Sequence, residues 1–208
     1  MSDVYIVEAV RTPVGKYKGS LAGVRADHLG AHVLNALVTR AGIHPADVSD
    51  VLFGCVTQVG EQSANIARTA LLGAGWPVTI PGLTIDRKCG SGEVAVHVGA
   101  GLIAAGSAEV VVAGGAENMS RVRMGGNREI YGEAFGWLAA ERYELTSQGE
   151  AAERVAEHWN LTREALDAFA VRSHQKAAAA AEAGYFTREI APVPVNDLKD
   201  RDWRSEER

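Results

Sequence analysis

Four short apolar runs, each closed by glycine, proline or charge, alternate with longer stretches in which apolar residues recur every three to four positions. Val4-Tyr5-Ile6-Val7-Glu8-Ala9-Val10 is continuous enough to predict a largely buried first strand, stopped by Thr12-Pro13. From Ala26 to Ala41 the residues Leu29, Val33, Leu37 and Ala41 repeat at helical spacing, Ala36 widens the stripe, and Gly42 supplies a C-terminal stop. Val51 to Val56 predicts a second strand, Asn65 to Gly73 a short helix, and Gly82 to Asp86 a third strand. A helix follows from Glu93 to about Ala105, ending at Gly106, and Glu109 to Ala113 predicts a fourth strand closed by Gly114-Gly115. Continuous apolar strands alternating with helices predict an α/β fold with a parallel sheet covered on both faces.

The pattern changes after Met119. Ser120 to Leu145 has no clear periodicity and is rich in Arg, Gly, Glu and aromatics. Two helices are predicted next: one from Gln148 to Trp159, the other from Thr162, its N-cap, to about Ala183, with Gly184 as its stop. The apolar face of the second is read as Leu166, Phe169 and Ala170. Ile190 to Val195 reads as an edge strand or extended connector, because Pro192 and Pro194 exclude a central place in a sheet. Asp197 to Arg208 is charged and carries a lone Trp203.

At 208 residues and 47% hydrophobic, the chain has enough apolar material for a substantial core. The net charge of -5 comes without a basic stripe interleaved with aromatics, which argues against a nucleic-acid partner. Apolar runs are broken well short of a bilayer span, so no membrane association is expected. The N-terminus has no basic region before an apolar stretch, so neither a secretion nor a transit peptide is read there. Two cysteines, Cys55 and Cys89, make no disulfide framework, and a cytoplasmic location is expected.

Cys89 changes the picture most. It lies where the third strand stops and the following helix opens, within Arg87-Lys88-Cys89-Gly90-Ser91-Gly92. A sulfur at a helix N-terminus meets unpaired N–H groups and the positive end of the helix dipole, which favour S⁻ over SH. Arg87 and Lys88 add positive charge, while Gly90 and Gly92 clear space for an acyl group. Cys89 is therefore read as a nucleophile and Cys55, inside an apolar strand, as inert.

Gly99-x-Gly101 with Gly106 is not a dinucleotide fingerprint, since it falls inside a helix and the spacing is wrong. No Walker motif is present, and the six histidines form no metal-ligand grouping with the cysteines, so no metal site is expected. A cysteine nucleophile normally has a base within about 3 Å. His97, eight residues on, would stand roughly 12 Å away along the same helix, and is read as a packing or interface residue. The nucleophile thus lacks a visible base.

With these residues in hand, the chain resembles the N-terminal part of the thiolases (3-ketoacyl-CoA thiolase or acetyl-CoA acetyltransferase). The resemblance rests on Ile6 to Lys16, Gly54 to Gln58, Asn65 to Arg68, Arg87 to Gly92, Val112 to Arg121 and Gly149 to Glu153. It implies the thiolase fold, two similar α/β halves in α-β-α-β-α layers with an inserted loop domain that holds coenzyme A. Residues 1–117 would be the N-terminal half, incomplete, and residues 118–208 part of the loop domain, with the C-terminal half absent. That half would supply an Asn, the His of a Gly-His-Pro motif and the second Cys of a Cys-x-Gly motif.

The reaction implied is thiolytic cleavage of a 3-ketoacyl-CoA to acetyl-CoA and a shortened acyl-CoA, or the reverse Claisen condensation, through a Cys89 acyl-enzyme. Coenzyme A enters as substrate, with no permanently bound cofactor. A homo-oligomer, dimer or tetramer, or a complementing C-terminal half is the expected partner. Where biosynthetic thiolases resemble His-Met-Gly, this chain has Ser147-Gln148-Gly149, which places Ser147 and Gln148 as candidate substrate-binding residues. That departure, and the stretch Arg121 to Leu145, make it more similar to degradative actinobacterial thiolases, including those of steroid side chains. Two further readings are a ketosynthase-like condensing enzyme and a catalytically incomplete half that serves as a partner subunit.

Overall fold

The structure, a computed structural model, describes residues 3–199 and forms two compact units. The first is built from the chain up to Ile130 and from Glu189 onward, the second from Tyr131 to Arg188.

In the first unit a parallel sheet has the order β2-β1-β3, with β1 at Asp50–Gly54, β2 at Gly82–Ile85 and β3 at Val111–Gly115. Helices α1 (Ala26–Ala41), α2 (Ile66–Gly73) and α3 (Ser91–Ala104) supply its crossovers and cover. Gly42 takes a left-handed φ of 68° just after α1, where the stop was expected. In β1, Val51, Leu52 and Phe53 are fully buried, because the central strand has cover on both faces. Phe53 and Val51 join a core with Leu34 and Val38 of α1 and Ile66, Ala67, Ala70 and Leu71 of α2. Leu52 points the other way, toward Gly99 of α3. Burying each such side chain contributes about 1.5–3 kcal/mol.

Three expectations shift here. Val4 to Val10 forms no strand: Tyr5, Ile6 and Val7 are 76–82% exposed, and pairing begins only at the Arg11–Ile190 bridge. Apolar continuity alone does not make a strand when no neighbour supplies the ladder. The fourth strand runs from Val111 rather than Glu109, and Gly114-Gly115 continue it instead of closing it. Their lack of side chains lets β3 pair Phe53↔Gly114 and Gly54↔Gly115, and a Cβ on Gly115 would come 2.7 Å from the Gly54 carbonyl oxygen. Ile190 to Val195 keeps one bridge, and Val195–Leu198 turns into a short helix, α8, outside which Trp203 lies beyond the described residues; α8 follows the four helices given next.

Ser120 to Leu145, without periodicity in sequence, contains two short helices, α4 (Gly126–Tyr131) and α5 (Trp137–Ala140). The second unit continues through α6 (Gln148–His158) and α7 (Arg163–Glu182), both close to their expected bounds because Ser147 and Thr162 cap them. Ser147 Oγ accepts from the Glu150 N–H and Thr162 Oγ1 from the Ala165 N–H, each at 3.2 Å. No described residue of this unit is buried. The expected apolar face of α7 is open, with Leu166 44% and Phe169 66% exposed. No helix among the described residues is long and apolar enough to cross a membrane.

Candidate active site

Cys89 stands on the turn between β2 and α3, and its side chain is exposed, whereas Cys55 is fully buried just past β1. The turn is tight. Lys88 has φ +49°, in the left-handed region that a non-glycine residue enters at a cost. Gly90 N–H donates to the Arg87 carbonyl at 3.1 Å and Ser91 N–H to the Lys88 carbonyl at 3.0 Å. Gly90 is the N-cap of α3, and no side chain caps the helix there. The start of α3 therefore has no side-chain acceptor on its first-turn amides.

The end of β1 abuts this helix start. A Cβ on Gly54 would come 2.7 Å from both the Gly92 nitrogen and the Ser91 carbonyl carbon. Only a glycine allows the strand to carry α3, and with it Cys89, so close.

The expected basic flank is altered. Lys88 Nζ lies 2.5 Å from Asp86 Oδ2, and Asp86 Oδ1 accepts the Lys88 N–H at 2.9 Å. Partial burial works against the Asp86 carboxylate, but the Lys88 hydrogen bonds and charge outweigh it and hold its pKa below the usual range. The lysine is therefore half of an ion pair rather than an added charge beside the thiol. The Asp86-x-Lys88 spacing is the signal that the motif reading passed over.

Cys55 has its thiol pushed up to about 12, by burial first and then by the charges of Glu117 and Asp86. Glu117 accepts the Val56 and Thr57 N–H groups at 3.4 and 2.9 Å. Its neighbour Asn118 is a buried hub: its side-chain amide donates to the Leu21 and Val24 carbonyls at 3.0 and 2.7 Å, and its Oδ1 accepts from Ser120 N–H. Arg121 grips Glu61 in two hydrogen bonds of 2.7 and 2.8 Å. The run Glu117 to Arg121 thus fastens loops around β3.

Other expected positions fall as follows. His97 is an exposed residue of α3, 3.7 Å from Glu93, and is not a packing residue within this chain. His28 and His32 on α1 are half-buried, and His28 Nδ1 lies 3.2 Å from the Leu198 carbonyl. Ser147 and Gln148 open α6 in the second unit, both exposed, while Cys89 belongs to the first unit. Within the second unit Arg154 bridges Glu144 and Glu150 at 2.6 and 2.8 Å. Hydrogen bonds from Thr146 and then Arg154 hold the Glu150 carboxyl below its ordinary pKa.

A family model described as "Thiolase, N-terminal domain" matches residues 4–208. The chain belongs to the thiolase family. Its relatives include a steroid 3-ketoacyl-CoA thiolase of Mycobacterium tuberculosis, 42% identical over 93% of this chain and 50% of the relative. A β-ketoadipyl-CoA thiolase of Pseudomonas putida is 43% identical over 96% of this chain and 54% of its own length. The crystal structure of the Bacillus anthracis acetyl-CoA acetyltransferase superposes with a TM-score of 0.80 at 37% identity, covering 95% of this chain and 51% of that one. This confirms the α/β thiolase fold. The chain spans about half the length of the thiolases it matches.

Proposed function

We propose that Cys89 is the acyl-carrying nucleophile of a thiolase acting on 3-ketoacyl-CoA substrates. The observation that carries this reading is the exposed Cys89 thiol on a tight turn at the uncapped start of α3. The Cys89 sulfur attacks the 3-keto carbon, and the bond between C2 and C3 breaks. Its electron pair leaves on C2 of acetyl-CoA, which takes up a proton. Free coenzyme A then attacks the Cys89 thioester, releasing the shortened acyl-CoA and restoring the thiol. Backbone N–H groups at the start of α3, left without a side-chain cap, are assigned to stabilise the oxyanion.

Relatives named for steroid 3-ketoacyl and β-ketoadipyl substrates support a degradative role with an acyl chain longer than acetyl. Ser147 and Gln148 are assigned to the acyl pocket, and residues 118–208 to coenzyme A binding. Because the chain spans about half the length of its relatives, turnover is assigned to these residues together with the other thiolase half, carried on a continuation of the chain or on a complementing one, in a cytoplasmic oligomer.

Iodoacetamide labelling with peptide mapping near neutral pH tests the nucleophile. Cys89 is expected to react and Cys55 to stay unmodified in folded protein; preferential labelling of Cys55 would overturn the assignment. In the complete enzyme, Cys89→Ala should abolish the acyl adduct seen by mass spectrometry, and an adduct that persists would refute the mechanism.

A further inference from the structure

We propose that Ser91 is a positioning residue for the Cys89 thiol, acting through the two residues that precede it; this rests on the reading of Cys89 as nucleophile. Ser91 is only 4% exposed. Its Oγ accepts the Arg87 N–H at 2.8 Å and donates to the Lys88 carbonyl at 2.5 Å. One hydroxyl therefore ties down both residues leading into Cys89, including the left-handed Lys88. A left-handed conformation at a non-glycine residue persists only where its surroundings over-determine it. The Ser91 hydroxyl shares the side-chain part of that determination with Asp86 Oδ1, which accepts the Lys88 N–H, beside the Ser91 and Gly90 backbone donors.

The direction of this hydroxyl separates it from an ordinary helix cap. Ser147 and Thr162 turn their oxygens onto the amides of the helices they begin. Ser91, the first residue of α3 rather than its N-cap, instead turns backward, onto the turn that carries Cys89, and the N-cap Gly90 has no side chain to offer the α3 amides. The body of Ser91 is fixed from the other side, since a Cβ on Gly54 would come 2.8 Å from Ser91 Cβ. Ser91→Ala keeps that packing and removes the two hydrogen bonds alone. Attack on a carbonyl requires the sulfur and the oxyanion amides in register, whereas alkylation requires only an accessible thiolate.

The test uses the 208-residue chain and two probes, p-nitrophenyl acetate and iodoacetamide, with each product located by peptide mass spectrometry. Acetylation proceeds by attack of the Cys89 sulfur on the ester carbonyl, with p-nitrophenolate as leaving group. Ser91→Ala should slow acetylation of Cys89 by about tenfold or more, the scale expected when a reacting atom is misplaced. Its iodoacetamide rate at Cys89 should change by less than about threefold. Ser63→Ala, which deletes a similar hydroxyl-to-carbonyl bond of 2.7 Å elsewhere in the unit, should leave both rates unchanged. Equal acetylation of Cys89 in wild type and Ser91→Ala would overturn the positioning role while leaving the nucleophile in place. Labelling of Cys55 in Ser91→Ala would show that the hydroxyl holds the fold instead, which also overturns it. Absence of acetyl-Cys89 in the wild type would overturn the nucleophile reading itself.

Discussion

The two units of this chain use the same elements under opposite conditions. Around β1 every helix has a sheet to cover, and Val51, Leu52 and Phe53 lose all contact with solvent. Between Tyr131 and Arg188 lies the longest of the described helices, the 20 residues of α7, yet none of the residues there is buried. The first unit is held by packing so close that single glycines decide it. The second is held locally, by caps such as Ser147 and Thr162 and by exposed pairs such as Arg163–Asp167. A cap plus a periodic stripe is thus enough to set where a helix begins, but says nothing about whether its apolar face finds cover.

The sharpest way to break the contrast is at Gly54. Gly54→Ala places a carbon about 2.7 Å from backbone atoms of α3, where no flexible side chain can yield. A loss of about 3 kcal/mol or more is expected, read as a lowered urea midpoint, with Cys89 labelling altered in the same variant. An unchanged midpoint would mean that α3 is free to shift on the sheet. Asn118→Ala is expected to be next, at about 2–3 kcal/mol, since the Leu21 and Val24 carbonyls would lose their buried donor. Urea unfolding followed by tryptophan fluorescence, which reports on the buried Trp76 among others, checks it. The smallest effect belongs to the second unit. Thr162→Ala should weaken α7 by about 1 kcal/mol, visible as faster amide exchange at its first turn, with protection of β1 unchanged. A fall in β1 protection would show that the two units unfold together.

Much of the first unit could be read from residues alone. α1 has its stop in Gly42, α2 its cap in Asn65 and α3 a glycine, Gly106, just past its end, while β1 and β2 are short apolar runs between the helices. What could not be read depends on partners distant in the chain. Val4 to Val10 has the composition of a buried strand, but a ladder is a property of two segments, and only Arg11 finds one. Gly114 and Gly115 look like a strand terminator until the parallel register sets Gly115 against Gly54. The place of Cys89, exposed on the turn between β2 and α3, was legible because the residues that make the turn are sequential. The neutralisation of Lys88 by Asp86 was within reach, two residues away, while the Ser91 clasp needs the turn itself to be seen. Ser147 and Gln148 announce a helix start by capping chemistry, and their assignment to a pocket came from resemblance.

Oxidants meet the two thiols of these 208 residues unequally. Peroxide consumes thiolate, and Cys55 is fully buried with its thiol pushed up to about 12, so it stays a thiol where Cys89 is open to attack. A sulfenic acid formed on Cys89 would find no second accessible thiol among these 208 residues, and an added thiol such as glutathione would reduce it. Dimedone trapping after peroxide should accordingly saturate at about one adduct per chain, on the Cys89 peptide, and reverse with added thiol only if dimedone is withheld.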